Sequence, residues 1–423
     1  MNKKSVGLTI LLCIIAIIIS INAEVIKKPK ILMVVETKNA KSSHTKMIKQ
    51  LNQIGEVNMV TTQEKTWKLE EYGETKYDTV VLMTPTINRV PEALKKNALL
   101  NFFNEGKNII IIADKTLPEA YTEFLMDSGI EFENGANFIV DHFNHEEEDG
   151  LHQLITSTAM NRDVIRKDVG KIMYKGVAMT NANKSPLVVP ILTGSKTSYV
   201  LAEDEQEAPV AIGEEAMLVA GVQGRNGARI TVIGSMDMVS DSFYDKQATG
   251  NNAFGQELFL WATGQRGILR HRQVKHHVVG ETTEKYMYTI NENITYSVIV
   301  EEYDQTKGGW IPYVANDLQL EFIMLDPYVR TSLNHIDAGR YESTFQVPDT
   351  YGVFKFKVDY RRAGYSYLIF NNKQTVRPYR MDQYDRFIPA AYPYYVSMFS
   401  AFIGFFIFAF LFLYTDNGKV KLE

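Results

Sequence analysis

The densest group of ionisable side chains is the run VDHFNHEEED, residues 140–149. Imidazole nitrogens and carboxylate oxygens are common ligands of divalent metals, so this run is a candidate metal site. It lacks the H-E-x-x-H spacing that places two histidines on one helix face. An acidic, solvated loop after a strand is therefore the favoured interpretation, and metal binding is the alternative. The candidate ligands are His142, His145, Glu146, Glu147, Glu148 and Asp149.

A second polar run, GSMDMVSDSF, covers residues 234–243. It does not contain the G-x-S-x-G sequence of a nucleophile elbow, so a serine nucleophile is not indicated. Polar capping of the segment that follows is the expected role. The polar residues of this run are Ser235, Asp237, Ser240, Asp241 and Ser242.

Three histidines, His271, His276 and His277, follow a predicted helix, where we expect a boundary between two domains. Histidines at such a junction contribute more often to an interface than to a metal site. We therefore expect an interface role for them.

Polar residues also follow three apolar runs that are predicted to be buried strands: Glu36, Thr84, and the pair Asp114 and Lys115. Open α/β sheets bind ligands outside the carboxyl ends of their strands, which makes these positions candidates. No glycine-rich phosphate-binding motif follows the first strand, and GRNGARI is typical of a hairpin turn. A nucleotide cofactor is therefore not predicted.

The elements that would position these residues alternate between apolar strands and amphipathic helices from residue 30 onward. KILMVVE, EVNMVTT, YDTVVLMTP and NIIIIADK are predicted strands, and one helix is predicted from Pro91 to Gly106. This alternation predicts a doubly wound α/β domain with a parallel sheet over residues 24–268.

The pattern of apolar and polar residues changes after residue 268. Segments such as YMYTINENITYSVIVEEYD and GVFKFKVDYRR alternate apolar and polar residues, with turn residues between them. This pattern predicts an antiparallel, sandwich-like β domain that continues into a membrane-proximal segment, residues 269–391.

The N-terminus has the layout of a secretory signal peptide. Lys3 and Lys4 precede an apolar run, and Ala23 precedes the expected cleavage point, so residues 1–23 are predicted to be removed. An uncleaved anchor is the alternative. The one cysteine, Cys13, lies in this segment, so cleavage leaves no thiol for a disulfide or a zinc site.

The C-terminus contains an uncharged apolar stretch that is long enough to cross a bilayer, predicted as a helix over residues 392–414. Together with the signal peptide it gives a type I topology with a cytosolic tail, residues 415–423. Small residues at helical spacing could let a partner helix approach closely. These are Ser397, Ser400, Ala401 and Gly404.

Two sequons, at Asn293 and Asn183, are possible glycosylation acceptors in a luminal chain. Pro186 follows the second sequon and makes it the weaker candidate. The net charge of −5, without any block of basic residues, argues against nucleic-acid binding.

Several segments resemble the DDOST/Wbp family. They include QLEFIMLDPYVRTSL, PDTYGVFKFKVDYRRAGYSYL and the run VRPYRMDQYDRFIPAAYPYY that enters the apolar stretch. GIEFENGANFIVDHFNH, GSMDMVSDSFY and HHVVGETTEKYMYTI are similar to the same family, in the same order. The resemblance covers nearly all of the mature chain, and YDRFIPAAYPYY is its most specific element.

This resemblance implies a 48-kDa-type subunit of the endoplasmic-reticulum oligosaccharyltransferase, which transfers an oligosaccharide from dolichyl diphosphate to asparagine in N-x-[ST]. It implies a non-catalytic, structural and stabilising role in the endoplasmic-reticulum membrane. The partners it implies are a separate catalytic subunit, a ribophorin II-like subunit and a defender-against-cell-death-like subunit. The divalent metal belongs to the catalytic subunit, so no cofactor is expected in this chain.

Residue chemistry alone leaves both an enzyme and a scaffold open. The alternative is a membrane-anchored luminal protein, sugar-binding or hydrolase-like, that acts through the α/β cleft. The tail KVKLE places Lys419 fifth and Lys421 third from the end, which resembles a K-x-K-x-x retrieval signal.

Overall fold

The computed structural model describes most of the chain between residues 28 and 415. The described ranges are 28–36, 40–64, 67–71, 73–87, 89–132, 138–147, 149–181, 183–201, 209–246, 249–384 and 387–415. The predicted signal peptide, Glu148 and the two tail lysines lie outside these residues.

The first part of the described chain forms an α/β domain. Its strands are β1 Lys30–Val35, β2 Glu56–Thr61, β3 Glu70–Glu71, β4 Glu74–Thr75, β5 Thr79–Met83, β6 Asn108–Ile112, β7 Ile155–Ser157, β8 Ile172–Tyr174, β9 Val188–Thr193, β10 Tyr199–Val200, β11 Ala211–Ile212, β12 Met217–Gln223 and β13 Arg229–Ile233. Its helices are α1 Ala40–Ser43, α2 Thr45–Ile54, α3 Lys96–Asn104, α4 Glu119–Asp127, α5 Asp241–Tyr244 and α6 Asn251–Ala262.

Seven of these strands form the central sheet, in the order β2-β1-β5-β6-β13-β12-β9. The first five are parallel. Strand β12 pairs antiparallel with β13, and β9 pairs antiparallel with β12 at the edge of the sheet. Residues such as Ile109–Ile112 are fully buried because helices cover both faces. Since α/β crossovers are right-handed, the reversal of strand order at β1 sends helices to opposite faces.

Two details differ from the sequence prediction. The helix predicted from Pro91 is interrupted, because Lys95 is extended between a short 3-10 turn, Glu92–Leu94, and α3. The sheet is mixed rather than wholly parallel, because β12 forms an antiparallel hairpin with β13. The GRNGARI turn lies in this hairpin, as predicted.

The second part is a β-rich domain of two facing sheets. Its strands are β14 Arg266–Val278, β15 Met287–Thr289, β16 Asn293–Asp304, β17 Gly309–Pro312, β18 Gln319–Ile323, β19 Pro327–Ser332, β20 Asn334–Asp337, β21 Arg340–Gln346, β22 Gly352–Tyr360 and β23 Leu368–Arg377. One sheet has the order β14-β16-β21-β20 with β17 beside β16, and the other has the order β15-β23-β22-β18-β19.

The core of this domain is aromatic. Phe322 stacks on Phe354 at 4.5 Å between ring centroids, and Tyr296 lies 5.0 Å from Phe356. All strand pairs are antiparallel except β15 with β23. The alternation of buried and half-buried residues along β22 shows why period-two patterning predicted these strands.

The described chain ends in helix α7, Phe387–Ala390, and helix α8, Tyr392–Tyr414. Helix α8 has a mean hydropathy of 2.4 and none of it is buried against the rest of the protein. A 23-residue helix with these properties is long enough to span a bilayer.

Candidate functional site

The predicted strand-end residues lie at the carboxyl edge of the parallel strands. Thr86 Oγ1 donates to both carboxylate oxygens of Glu36, at 2.7 and 2.8 Å. The Thr84 hydroxyl is buried, 3.4 Å from the Tyr121 hydroxyl. The loops after β1 and β5 therefore meet where the strand order reverses, the usual ligand position in such sheets.

An open cleft of about 1340 Å³ lies beside this edge. It is formed by the segments that follow β2, β5 and β6 and includes Trp67, Thr86 and Arg89. The indole nitrogen of Trp67 is buried without a hydrogen-bond partner among the described residues. None of the four predicted strand-end residues lines this cleft, although Thr86 connects it to Glu36.

Two aspartates from different motifs come together at the same edge. Partial burial and the negative charge of Asp114 raise the pKa of Asp237, although Lys175 and His44 favour its ionised form. Perturbed carboxylates of this kind are found in hydrolase sites. The sequence analysis placed Asp114 at a strand end and Asp237 in a capping run, so it did not pair them.

The two histidines of the run 140–149 both contact His152, which follows the run. His142 Nδ1 lies 2.6 Å from Nδ1 of His152, and its Nε2 lies 2.8 Å from the Tyr199 hydroxyl. His145 stacks on His152 at 4.0 Å between centroids. Among the described residues, no three His, Cys, Asp or Glu side chains are arranged to hold a metal ion.

Asp149 stabilises the backbone of its own loop. Asp149 accepts hydrogen bonds from the N–H groups of Leu154 and Leu151. Desolvation opposes its ionisation, but these hydrogen bonds outweigh that effect and hold the pKa of Asp149 below its ordinary value. Glu146 lies 4.0 Å from Lys246, at the limit of an ion pair.

The run 234–243 does cap a helix, but not the one predicted. Asp241 accepts hydrogen bonds from the N–H groups of Thr45 and Lys46, at 2.8 and 2.9 Å, so it caps the start of α2. A negative charge is favourable at a helix N-terminus. No side-chain hydrogen bond from Ser240 caps α5, the segment that follows. The prediction was wrong because the fold brings a distant helix to this aspartate.

The three predicted interface histidines lie on β14, and their ring contacts are within the β-rich domain. His271 stacks on Phe370 at 4.1 Å, and His276 Nδ1 lies 2.8 Å from the Tyr288 hydroxyl. His277 Nδ1 lies 3.1 Å from a backbone carbonyl of its own strand. Burial lowers the pKa of His271 and of His276.

The most highly organised polar region is the contact between the two domains. The guanidinium of Arg229, on β13, is fully buried and donates to the carbonyl oxygens of Trp261, Arg266 and Gly267 at 2.6, 2.7 and 3.0 Å. It also lies 4.7 Å from the centre of the Trp261 ring. Burial lowers the pKa of Arg229 to about 9, so it remains charged at neutral pH.

A second buried network surrounds Arg266, the first residue of β14. Its guanidinium is paired with Glu257 of the α/β domain and lies 3.5 Å from Asp304 of the β-rich domain. Desolvation opposes ionisation of Glu257, but Arg266 and Lys167 outweigh that effect and lower its pKa. Removing one member of such a buried network is strongly destabilising, because it leaves an uncompensated charge.

Beside this network, two backbone segments of the β-rich domain approach each other closely. Gly267 has φ +72°, and a Cβ at this position would lie 2.7 Å from the carbonyl oxygen of Gly364. Ser366 N–H donates to Gly267 O, and its hydroxyl accepts from Leu269 N–H, both at 2.8 Å. We name the contact made by Arg229, Glu257, Gly267, Trp261 and Gly364 the interdomain clamp. The sequence analysis did not find it.

The remaining predicted residues are exposed. Asn183 lies in a turn and Asn293 begins β16, and both are accessible. On α8, the hydroxyls of Ser397 and Ser400 donate to carbonyls one turn earlier, at 2.8 Å, and nothing lies within 4 Å of a Cβ on Gly404. Ala401 is exposed on the same helix.

Two protein-family models match the chain, one over each part of it. Residues 22–265 match the OST48 N-terminal domain, and residues 276–416 match the OST48 middle domain. The chain belongs to the OST48 family. Each match covers one of the two domains described above, and the family assignment confirms the resemblance found in the sequence.

Three relatives carry the description "dolichyl-diphosphooligosaccharide–protein glycosyltransferase 48 kDa subunit". The Danio rerio protein is 34% identical over 406 residues, which is 91% of each chain. The Arabidopsis thaliana protein is 32% identical over 412 residues, 91% of this chain and 92% of the relative. The Drosophila melanogaster protein is 33% identical over 376 residues, 83% of each chain.

Two solved structures resemble the chain weakly. A ThuA-like protein from Parabacteroides merdae is 14% identical, with a TM-score of 0.27, and covers 56% of this chain and 90% of its own. A glutamine amidotransferase from Thermotoga maritima is 9% identical, with a TM-score of 0.30, and covers 56% of this chain and 98% of its own. These superpositions add nothing to the assignment.

Proposed function

We propose that this OST48-family chain is a non-catalytic, structural subunit of the oligosaccharyltransferase complex. That complex transfers the oligosaccharide from dolichyl diphosphate to asparagine in N-x-[ST] of nascent proteins. The observation that carries the proposal is family membership over both domains. The interdomain clamp supports it, because a rigid connection between two domains suits a part that holds others in place.

The partners follow from this role. We expect a separate catalytic subunit that supplies the transfer chemistry and its divalent metal, a ribophorin II-like subunit and a defender-against-cell-death-like subunit. The test is purification of the tagged full-length chain from membranes in mild detergent. Recovery of a multi-spanning glycosyltransferase with it supports the proposal, and a lone monomer overturns it.

A second candidate function uses the α/β cleft for sugar binding or hydrolysis. Trp67 favours it, because its indole ring lines the cleft and can stack on a sugar. The raised pKa of Asp237 beside Asp114 is the feature that suits a hydrolase. Glycan binding by the purified full-length chain, lost in Trp67→Ala, would favour this function.

The location follows from the family and the topology: a single-pass type I protein of the endoplasmic-reticulum membrane, with both domains in the lumen. Lys419 and Lys421 then serve as a retrieval signal on the cytosolic tail. With both changed to serine, an unassembled copy is expected to reach later compartments. If it stays in place, assembly alone retains it.

Glycosylation of the chain itself is a separate expectation. Asn293 is the stronger acceptor candidate and Asn183 the weaker. Deglycosylation of native material should increase its gel mobility, and Asn293→Gln should remove most of that shift. No shift in the wild type would exclude both sites.

A further inference from the structure

The two ends of the β-rich domain face different surroundings. The interdomain clamp lies at the start of β14 and at Gly364, in the turn before β23. Strand β23 then runs from Leu368 to Arg377, away from this contact. Ten residues of strand span about 30 Å. The end that carries Arg377 is therefore opposite to the α/β domain.

The same end is tied to the membrane helix. Arg377 donates to the side-chain oxygen of Gln383 at 2.8 Å, so the chain after β23 folds back against the end of the strand. Gln383 lies nine positions before Tyr392, where α8 begins. Extended chain of that length reaches at most about 32 Å, and the helical turn α7 shortens it.

Large apolar and aromatic side chains are exposed at this end. Tyr286 is 87% exposed, Tyr351 is 65% exposed and Leu325 is 92% exposed. Strand pairing brings them together: Met287 pairs with Thr375, which pairs with Val353, and the turn that contains Leu325 joins the neighbouring strands β18 and β19. We name Tyr286, Met287, Leu325, Tyr351 and Val353 the membrane-end patch.

The charges next to the patch suit phospholipid headgroups. Lys355 and Lys373 are paired directly across β22 and β23, two pairs further from the end than Val353 and Thr375. Like charges in this position repel each other, and an anion such as a lipid phosphate would relieve that repulsion. Exposed carboxylates also flank the patch, and they limit how deeply it can enter the interface. They include Glu281 and Glu284 near Tyr286, together with Asp326 and Asp349.

We propose that the membrane-end patch lies in the headgroup region of the luminal leaflet and holds the β-rich domain upright on the bilayer. Tyrosine is enriched at this depth, because its ring is apolar and its hydroxyl is hydrated. The second sheet contributes Asn293 at the same end, so a glycan there would lie beside the contact. This proposal does not depend on membership in the oligosaccharyltransferase complex.

The test measures the depth of one label in the bilayer. Full-length chain with Cys13→Ser and Tyr351→Cys is labelled with bimane and reconstituted in phosphatidylcholine nanodiscs that contain headgroup-nitroxide lipid. The matched control is Val314→Cys, since Val314 is 62% exposed. The backbone N–H of Tyr313, the residue before Val314, donates to the carbonyl oxygen of Val300. Val300 lies seven residues along β16 from Asn293. That places Val314 about 23 Å further from the membrane end.

We expect the nitroxide lipid to quench most of the bimane fluorescence at position 351 and little at position 314. Tyr286→Cys provides an independent label at the same end and should behave like Tyr351→Cys. Equal quenching at positions 351 and 314, or none at either, overturns the proposal. The proposal is also overturned if the nitroxide lipid does not quench the label at position 351 but the assembled complex shields that label from solvent. In that case a protein partner covers the patch.

Discussion

The indole N–H of Trp261 donates a hydrogen bond of 2.8 Å to the carbonyl oxygen of Gly364. Trp261 belongs to α6 of the α/β domain, and Gly364 belongs to the turn before β23 of the β-rich domain. Trp261 is fully buried, so this bond forms in a setting where an unpaired donor would be costly. The two domains are therefore joined by specific, desolvated contacts rather than by a flexible linker.

The close approach of Gly267 to Gly364 should not tolerate a side chain. Gly267→Ala combines positive-φ strain with a Cβ 2.7 Å from a carbonyl oxygen, and should destabilise the chain by about 3 kcal/mol. Gly308→Ala is the matched control, since its φ is +86° but nothing lies within 4 Å. It should cost about 1 kcal/mol. Urea unfolding followed by tryptophan fluorescence measures both, and equal costs would contradict the predicted clash.

The buried charge network should be sensitive to loss of one member. Glu257→Gln leaves Arg266 without its full counter-charge and should cost about 3 kcal/mol. Asp168→Asn removes an exposed partner of Arg162 and should cost less than about 1 kcal/mol. The same unfolding measurement compares them. If the two variants are equally stable, the network does not hold the domains together.

Acid should weaken the interdomain clamp. The pKa of Glu257 and the pKa of Asp304 both lie below their ordinary values of 4.5 and 3.8 in the folded chain. Their stabilising contribution is therefore complete above those values and declines as the pH falls through the lower folded values. The free energy of unfolding, measured from pH 7 down to pH 3, should decrease mainly below about pH 4.5. Glu257→Gln should flatten that decrease; an unchanged slope would assign it to other groups.

The small residues of α8 should matter for assembly before they matter for folding. Gly404→Leu fills the face shared with Ser397, Ser400 and Ala401, and should reduce recovery of the multi-spanning subunit after mild detergent extraction. Phe406→Leu, on the opposite side of the helix, is the control and should leave recovery unchanged. Wild-type recovery with Gly404→Leu would show that this face is not a packing surface.

Much of the fold could be predicted from the sequence. Continuous apolar runs such as Ile109–Ile112 mark buried parallel strands, and strict alternation marks β22, because both patterns are local. The break at Lys95 could not be predicted, since neither proline nor glycine marks it. The direction of β12 in the sheet could not be predicted either, because it depends on which strand the hairpin pairs with.

The interdomain clamp was missed for a related reason. Arg229 opens a buried strand, and in the sequence it is indistinguishable from an exposed charge at a strand end. Its partners, such as Trp261, lie more than thirty positions away, and single-sequence patterns do not connect such positions. By contrast, the residues of the cluster around His142 are close together in the sequence, so a local pattern identifies them. In the structure this cluster stabilises its own loop.

The central claim is that this chain supports glycosylation without performing chemistry. The most direct measurement is glycosylation of an N-x-[ST] reporter in cells whose only copy carries Asp114→Ala, His142→Ala and Glu146→Ala together, with complex assembly checked in parallel. We expect normal assembly and reporter glycosylation at the wild-type level. Loss of glycosylation in a fully assembled complex would contradict the claim and assign chemistry to these residues.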